Sequence, residues 1–352
     1  MKRAIKLSDV AKAAGVSQGT ASNAFNRPDI VRPEVREKVE AAARELGYAG
    51  PDPKGRLLRA GKVNAIGVAT TSPLGYFFED PYARTLMTSI SEACDVRGAG
   101  ISLVSAASDE KLAWNIQSAI VDGFILFCVD GGERLVELTR ERGLPFIALQ
   151  LEGVDETISA IGIDEFEGAR TAGRHVLALG HRDVAILALE LDEGHVGLVT
   201  QARIDAGVYS ASVRRIGGYR AALAEVGIDA ASVPIYETDH TTASIHAALE
   251  SLFGAGASPT ALFCMSDRVA LIALEWLRER GLSVPGDVSV IGFDGVPEGE
   301  TSEPPLTTVA QPIAMMGRQA AEMILQGIET PHREQLEVQL VVRGSTAPPR
   351  AG

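Results

Sequence analysis

The chain has 352 residues, 46% hydrophobic and 5% aromatic, and a formal net charge of -13. That length allows two or three domains with sizeable cores, and the aliphatic composition suits an α/β protein better than an all-β one. No apolar run reaches the roughly 18 residues a membrane span needs, and no apolar stretch of the signal-peptide kind follows the basic start Met1–Lys6, so a soluble, cytoplasmic protein is expected.

The charge is divided unevenly. Residues 1–62 carry a net +6 and the remainder a net -19, a basic head on an acidic body, which is the electrostatic footprint of a nucleic-acid-binding module joined to something else. Cys94, Cys128 and Cys264 are far apart and show no paired spacing. They read as buried thiols in a reducing compartment, with no disulfide, metal site or cofactor.

In the head, Leu7, Val10, Ala11 and Ala14 recur at helical spacing. Gly15 can take the left-handed conformation of a tight turn, and Ser17 can cap a following helix over Gln18–Asn26. Two short helices about such a turn make a helix-turn-helix; an ordinary helical hairpin with surface amides has the same pattern. Gln and Asn side chains bond bidentately to adenine edges in the major groove, which singles out Gln18, Asn23 and Asn26. Pro33 starts a third helix with Val35, Val39, Ala42, Ala43 and Leu46 as its apolar face, and Gly47 ends it. A Pro/Gly-rich linker follows, then a basic stretch with Leu57 and Leu58. Those leucines either cap the next domain or belong to a segment that folds on DNA with a leucine wedged into the minor groove.

From residue 63 aliphatic strands alternate with amphipathic helices. Strands are expected over 64–70, 100–105, 123–128 and 145–149, and the pattern restarts at 160–164 and runs through 184–187, 232–236, 261–264 and 288–293. This rhythm indicates helix-covered parallel sheets; two in series make a two-lobed body, whose ligand cleft lies at the strands' carboxyl ends. The loop after the first strand holds Tyr76, Phe77, Phe78 and Tyr82, which either stack on a ring-shaped ligand or plug the core. Asp267 and Asp294 follow later strands, where acids bond ligand hydroxyls; helix capping is the alternative for Ser266 and Asp267. Arg215 begins a helix, and Gln311 follows Pro304–Val309, read as a crossover between lobes. The long stretch 190–214 is a candidate lid. His240 either faces the ligand or lies at the surface, the surface being the preferred reading, and His175 and His181 fit structural roles. No catalytic constellation appears: there is no nucleophile elbow, phosphate loop, zinc-spaced histidine pair or dinucleotide fingerprint, so no enzyme is expected.

The chain resembles the lac-repressor (LacI/GalR) family of bacterial transcription regulators. The resemblance rests on Asp9-Val10-Ala11, Ala14-Gly15-Val16-Ser17, Thr20-Ala21-Ser22, Asn26, Val31, Arg36, Leu46-Gly47-Tyr48 and Pro53…Arg56…Leu58, with Gly180–Asp183 and Val342–Thr346 in the body. It implies a multidomain protein: an all-α helix-turn-helix head (1–48), a hinge helix (49–62), and a two-lobed α/β body like periplasmic binding proteins (63–346), built of two doubly wound parallel sheets. Lobe 1 would take about 63–162 and 312–328, lobe 2 about 163–311 and 334–346, and 347–352 would be a tail.

By the same resemblance, Gln18, Gly19 and Asn23 would read bases. Ser17, Thr20, Ser22 and Asn26 would hold phosphates, and Gly55, Arg56 and Leu58 would form the minor-groove hinge. Phe77 or Phe78, Arg215, Asp267, Asp294 and Gln311 would contact a small-molecule effector. The implied protein is a homodimer, joined partly through the helix near 312–327 (Met315, Met316, Ala320, Met323, Ile324). It would bind a pseudo-palindromic double-stranded DNA operator as a repressor under a sugar-type effector. A purine or nucleoside is the alternative effector, and a solute-binding transport component the alternative class. The family usually has Val at Ala21, Arg at Asn23 and Ala at Gly55, so a looser head, a shift away from guanine and a less stable hinge are expected.

Overall fold

The computed structural model describes residues 5–50, 62–127, 132–152, 155–254, 259–327 and 331–350. The chain divides into two compact units, Met1–Val63 and Asn64–Gly352. The hinge residues Gly55, Arg56 and Leu58, and Cys128, lie outside the described residues.

The head holds three helices, α1 (Leu7–Ala13), α2 (Gln18–Asn26) and α3 (Pro33–Leu46). Gly15 turns the chain between α1 and α2 at φ 66°, a conformation that costs a residue with a Cβ. The Ser17 hydroxyl accepts the Thr20 amide at 3.0 Å and so caps α2. Val10, Ala11, Ala21, Ala24, Val39, Ala42 and Ala43 form the core, with Phe25 edge-on to Tyr48 at 5.8 Å. Ala21 is fully buried, so the head closes around the small side chain. Leu46, expected on the buried face of α3, is 37% exposed, because it sits in the last turn beside the left-handed Gly47.

The body contains two sheets. The first has the order β12-β5-β4-β3-β1-β2 and is parallel throughout. Its strands are β1 (Ala65–Thr70), β2 (Gly100–Ser105), β3 (Gly123–Phe127), β4 (Phe146–Ala148), β5 (Ser159–Ile163) and β12 (Arg333–Leu336). The second has the order β13-β11-β10-β9-β6-β8-β7. It comprises β6 (Val184–Ala188), β7 (Gly197–Leu198), β8 (Ile235–Glu237), β9 (Ala261–Cys264), β10 (Ser289–Asp294), β11 (Thr307–Ala310) and β13 (Gln339–Val341). Its interior pairs are parallel and its two edges, β7 and β13, antiparallel. Every residue of β3, β5, β6, β9 and β10 is buried. Strands covered by helices on both faces need such unbroken apolar runs.

Four expectations need correction. The run 160–164 does not start the second sheet: as β5 it pairs with β4 and β12 in the first. Residues 334–336 likewise belong to lobe 1, because β12 pairs with β5. The run Pro304–Val309 is not simply a crossover, since Thr307–Ala310 pairs with β10 and only Gln311 and Pro312 lead out of the sheet. The supposed tail is fastened. Ala347 donates to Ser289 Oγ at 3.0 Å and its carbonyl accepts from His181 Nε2 at 2.8 Å, while Arg350 pairs with Asp287.

The helix Ile313–Gln326 packs on the helix Pro81–Arg97 and on β3. This buries Met316, Ala320 and Ile324 in the protomer's own core and leaves Met315 51% exposed. Of the five residues expected to face a second copy, those three are therefore spent internally. In the second lobe, the helices Glu165–Ala178 and Ser210–Glu225 cross closely. A Cβ at Gly218 would lie 2.2 Å from the Phe166 carbonyl oxygen, so only glycine permits this crossing. The crossing brings Arg215 onto Glu165.

Candidate functional site

In the head, Gln18 and Gly19 are exposed at the start of α2, and Asn23, one turn on, is half-buried. Ser17 and Thr20 are hydrogen-bonded to each other through their hydroxyls at 2.8 Å, and Asn26 Nδ2 donates to Ser22 Oγ at 3.2 Å. The seven head residues expected to meet DNA thus share one nine-residue helix and its cap, with three local hydrogen bonds ordering four of them.

In the body, a cleft of ≈ 820 Å³, its open mouth included, opens at the strands' carboxyl ends. One wall is aromatic. Phe127 ends β3 and is stacked by Tyr76 at 5.9 Å and by Tyr82 at 5.8 Å. Polar groups from the second lobe face it: Arg215, Ser266, Asp294, Gln311 and His240. Stacked aromatic rings opposite hydrogen-bonding side chains suit a flat polar molecule with an apolar face, such as a sugar ring or a base.

The polar face is a network. Arg215 Nε donates to Glu165 Oε2 at 2.6 Å, Nη1 donates to the Met265 carbonyl and lies 3.7 Å from Asp294 Oδ1, and the guanidinium covers the Phe293 ring at 3.8 Å. Burial works against its charge, but Glu165 and Asp294 outweigh that and hold its pKa above the usual arginine value. Gln311 Nε2 donates to Asp294 Oδ1 at 2.8 Å. Burial lifts the Asp294 carboxyl well above the usual carboxylate range against the pull of Arg215, and Asp267, Asp80 and Glu165 lift it further. Asp294 sits at φ 129°, unusual for a residue with a Cβ, so the end of β10 holds this carboxyl under backbone strain.

The structure brings together Arg215, Asp294 and Gln311 and moves three other expected contacts away. Phe77 is 2% exposed and packs against Phe127 from within the core, and Phe78 is 66% exposed outside the cleft. Tyr76 and Tyr82 line the cleft in their place, because Tyr76–Glu79 is a single helical turn that rotates successive side chains by about 100°. Asp267 lies beneath the cleft, fully buried. Its Oδ1 accepts from Thr308 Oγ1 at 2.6 Å, and its Oδ2 accepts the amides of Gly295 and Val296 at 2.7 and 2.8 Å. It is a staple for the loop that carries Asp294. Ser266 caps the helix Asp267–Glu279 and also faces the cleft.

His240 is a cleft residue, contrary to the surface expectation. It adopts φ 63°, its Nε2 lies 3.8 Å from Glu190 Oε2, and its Nδ1 is buried without a hydrogen-bond partner among the described residues. Burial holds its pKa below the usual histidine value. Burial also pushes the Glu190 carboxyl up to about 7, with Asp239, Glu237 and Glu193 adding to it.

The stretch 190–214 is not a free lid. Its strand β7 pairs with β8, and Glu237, fully buried, anchors the rest. Arg203 donates to both Glu237 oxygens at 2.8 and 3.0 Å, the Leu191 amide at 2.7 Å, and His195 Nδ1 lies 2.8 Å away. Burial opposes the Glu237 charge, but these partners bring its pKa below the usual value. Only the end of the stretch, Ser210 and Ala211, reaches the cleft. Among the described residues, no group of three or more potential ligands could hold a metal ion, and no helix is long and apolar enough to cross a membrane.

Comparison with known proteins agrees with both units. Residues 6–50 match the model for bacterial regulatory proteins of the lacI family, and residues 174–346 match a periplasmic binding protein-like domain. The chain is 37% identical over 99% of its length to the HTH-type transcriptional regulator Rv3575c of Mycobacterium tuberculosis, of which 99% is covered. It is 32% identical to the HTH-type transcriptional regulator CelR of Thermobifida fusca, covering 98% of this chain and 99% of that one. Among solved structures, a CelR–cellobiose complex superposes with TM-score 0.68 at 30% identity, covering 97% and 99% of the two chains. The lac repressor dimer bound to operator and an anti-inducer gives TM-score 0.76 at 28% identity, covering 98% and 100%. With a helix-turn-helix head and a two-sheet binding body both matched, the chain belongs to the lacI family of bacterial transcriptional regulators.

Proposed function

We propose that this protein is a cytoplasmic repressor whose homodimer binds a pseudo-palindromic double-stranded DNA operator, and that a sugar or sugar derivative in the body cleft sets its DNA affinity. The observation that carries the proposal is the cleft itself: stacked Tyr76, Phe127 and Tyr82 opposite Arg215, Asp294 and Gln311, in one chain with a basic helix-turn-helix head. Aromatic faces take the C–H side of a sugar ring, while buried carboxyl, amide and guanidinium groups pair with its hydroxyls. The likeness to the CelR–cellobiose complex supports the sugar, and the likeness to the operator-bound lac repressor dimer supports the DNA and the second copy.

In this reading Gln18, Gly19 and Asn23 read base edges, Ser17, Thr20, Ser22 and Asn26 hold phosphates, and Gly55, Arg56 and Leu58 enter the minor groove. Val96, 84% exposed on Pro81–Arg97, and Met315 on Ile313–Gln326 supply apolar surface for the second copy. A ligand alters DNA binding only by favouring one arrangement of the protein over another. Selection from a random duplex DNA library by the full-length protein tests the proposal. The expected product is a site of two inverted half-sites; failure to enrich any sequence, or enrichment of a single half-site alone, counts against it.

A further inference from the structure

The balance of charge in the cleft narrows the ligand beyond a sugar. The lining contains four carboxyl groups, Asp80, Glu152, Glu165 and Asp294, and one guanidinium, Arg215. Arg215 is matched by Glu165 at 2.6 Å and Asp294 at 3.7 Å. The nearby cations are also engaged: Arg268 lies 3.8 Å from Asp80, and Arg214 lies 3.4 Å from Glu152 and 3.6 Å from Asp164. His240 is held toward its neutral form by burial. Glu190, beside His240, adds a further acid. Beyond Lys62 the sequence contains a single lysine, Lys111, on the helix Asp109–Ser118, and it is not among the residues lining the cleft. Residues 128–131 and 153–154, outside the described residues, add no lysine or arginine to the sequence.

We infer that the cleft is a charge filter: it admits an uncharged sugar and rejects the phosphorylated or carboxylated form of the same sugar. The inference rests on the sugar reading proposed above. A phosphate or carboxylate entering the cleft would lose its water, meet surplus acid, and find each cation already committed to a carboxylate. A buried anion without a counter-charge is strongly disfavoured. Asp80 is the sharpest point of the filter, because it neutralises Arg268 across the cleft, from the first lobe to the second. It also caps Pro81–Arg97, its Oδ1 accepting the Ala83 amide at 3.0 Å. Asparagine caps a helix as well as aspartate does, so Asp80→Asn removes the charge and keeps the cap.

The test is thermal shift followed by calorimetric titration of the full-length protein against matched pairs: glucose and glucose 6-phosphate, ribose and ribose 5-phosphate, glucose and glucuronate, cellobiose and its 6′-phosphate, adenosine and adenosine monophosphate. The expected result is that a neutral sugar binds and its anionic counterpart binds at least about 100-fold more weakly. In Asp80→Asn, the ratio of anionic to neutral affinity should rise by about 10-fold or more as Arg268 is released. An anionic sugar that binds wild-type protein within tenfold of its neutral partner overturns the filter and leaves the sugar reading intact. Binding of adenosine without its monophosphate keeps the filter and overturns the sugar. A ratio unmoved in Asp80→Asn overturns the role of that residue, and a panel without any binder overturns both the sugar reading and the filter.

Discussion

Replacing Asp267 by alanine separates a structural staple from a ligand contact. Asp267 is fully buried and accepts three hydrogen bonds, from the Thr308 hydroxyl and from the amides of Gly295 and Val296. Asp267→Ala leaves all three donors unpaired where water enters poorly. Each such donor costs about 1–3 kcal/mol, and release of the carboxylate from its own burial offsets part of the sum, so a loss of roughly 3–5 kcal/mol is expected. Asp267→Asn keeps the size and one acceptor oxygen but turns an NH₂ group toward an amide donor, so about 2 kcal/mol is expected. Urea unfolding at fixed protein concentration measures both, since the stability of a dimer depends on concentration. The Gly295 turn also carries Asp294, so ligand affinity should fall along with stability. A variant of wild-type stability that has lost only ligand binding would refute the staple and return Asp267 to the cleft.

Other outcomes follow from the same geometry. Asp294→Asn should abolish the ligand response and leave DNA binding within about threefold, checked by anisotropy on the selected operator; an intact response would misplace the cleft. Tyr82→Ala should weaken ligand binding by at least about tenfold through the lost stacking partner of Phe127, whereas Phe78→Ser should leave it unchanged; titration calorimetry on both decides between the two aromatic assignments. Asn23→Arg should move base preference at one position of each half-site toward guanine, and an unaltered selection profile would reject Asn23 as a base reader. Burial lowers the pKa of His175 and of His181, the latter bonded to Thr260, Ser289 and the Ala347 carbonyl. The unfolded chain therefore binds more protons in mild acid. The stability these neutral rings contribute is present above about pH 6.5 and lost as pH falls below it. Glu190, lifted to about 7 by burial, works in the opposite direction over the same range, so the test is a difference: the urea midpoint of His181→Asn relative to wild type should rise as pH falls from 8 to 5, and a difference that does not change with pH would contradict it.

The head was readable because its signals are local: the Gly15 turn, the Ser17 cap and the helical spacing of Leu7, Val10, Ala11 and Ala14 lie within a dozen residues. The long aliphatic strands were readable for a related reason, since a fully buried parallel strand has one composition. β7, β12 and β13 were missed because short edge strands such as Arg333–Leu336 are polar and defined by their partners. In the cleft, Asp294 was singled out at a strand end, Arg215 near the start of a helix and Gln311 after a supposed crossover, and the family resemblance named all three as effector contacts; the structure places them together on one wall of the cleft. Tyr76 lines the cleft where Phe77 was expected because the phase of a single helical turn decides which ring faces it, and Asp267 turns to loop amides because a strand-end acid can face a cleft or a neighbouring loop. His240 had no local signal; its cleft position comes from its left-handed backbone after β8.

The central claim is that occupancy of the cleft sets the affinity of the head for DNA. Its direct test is the dissociation constant of the full-length protein for its selected operator, measured by anisotropy with and without a saturating concentration of the ligand found in the panel. A change of about 100-fold, corresponding to a coupling of roughly 3 kcal/mol, is expected. Equal operator affinity in both conditions, with the ligand shown to be bound, would contradict the account.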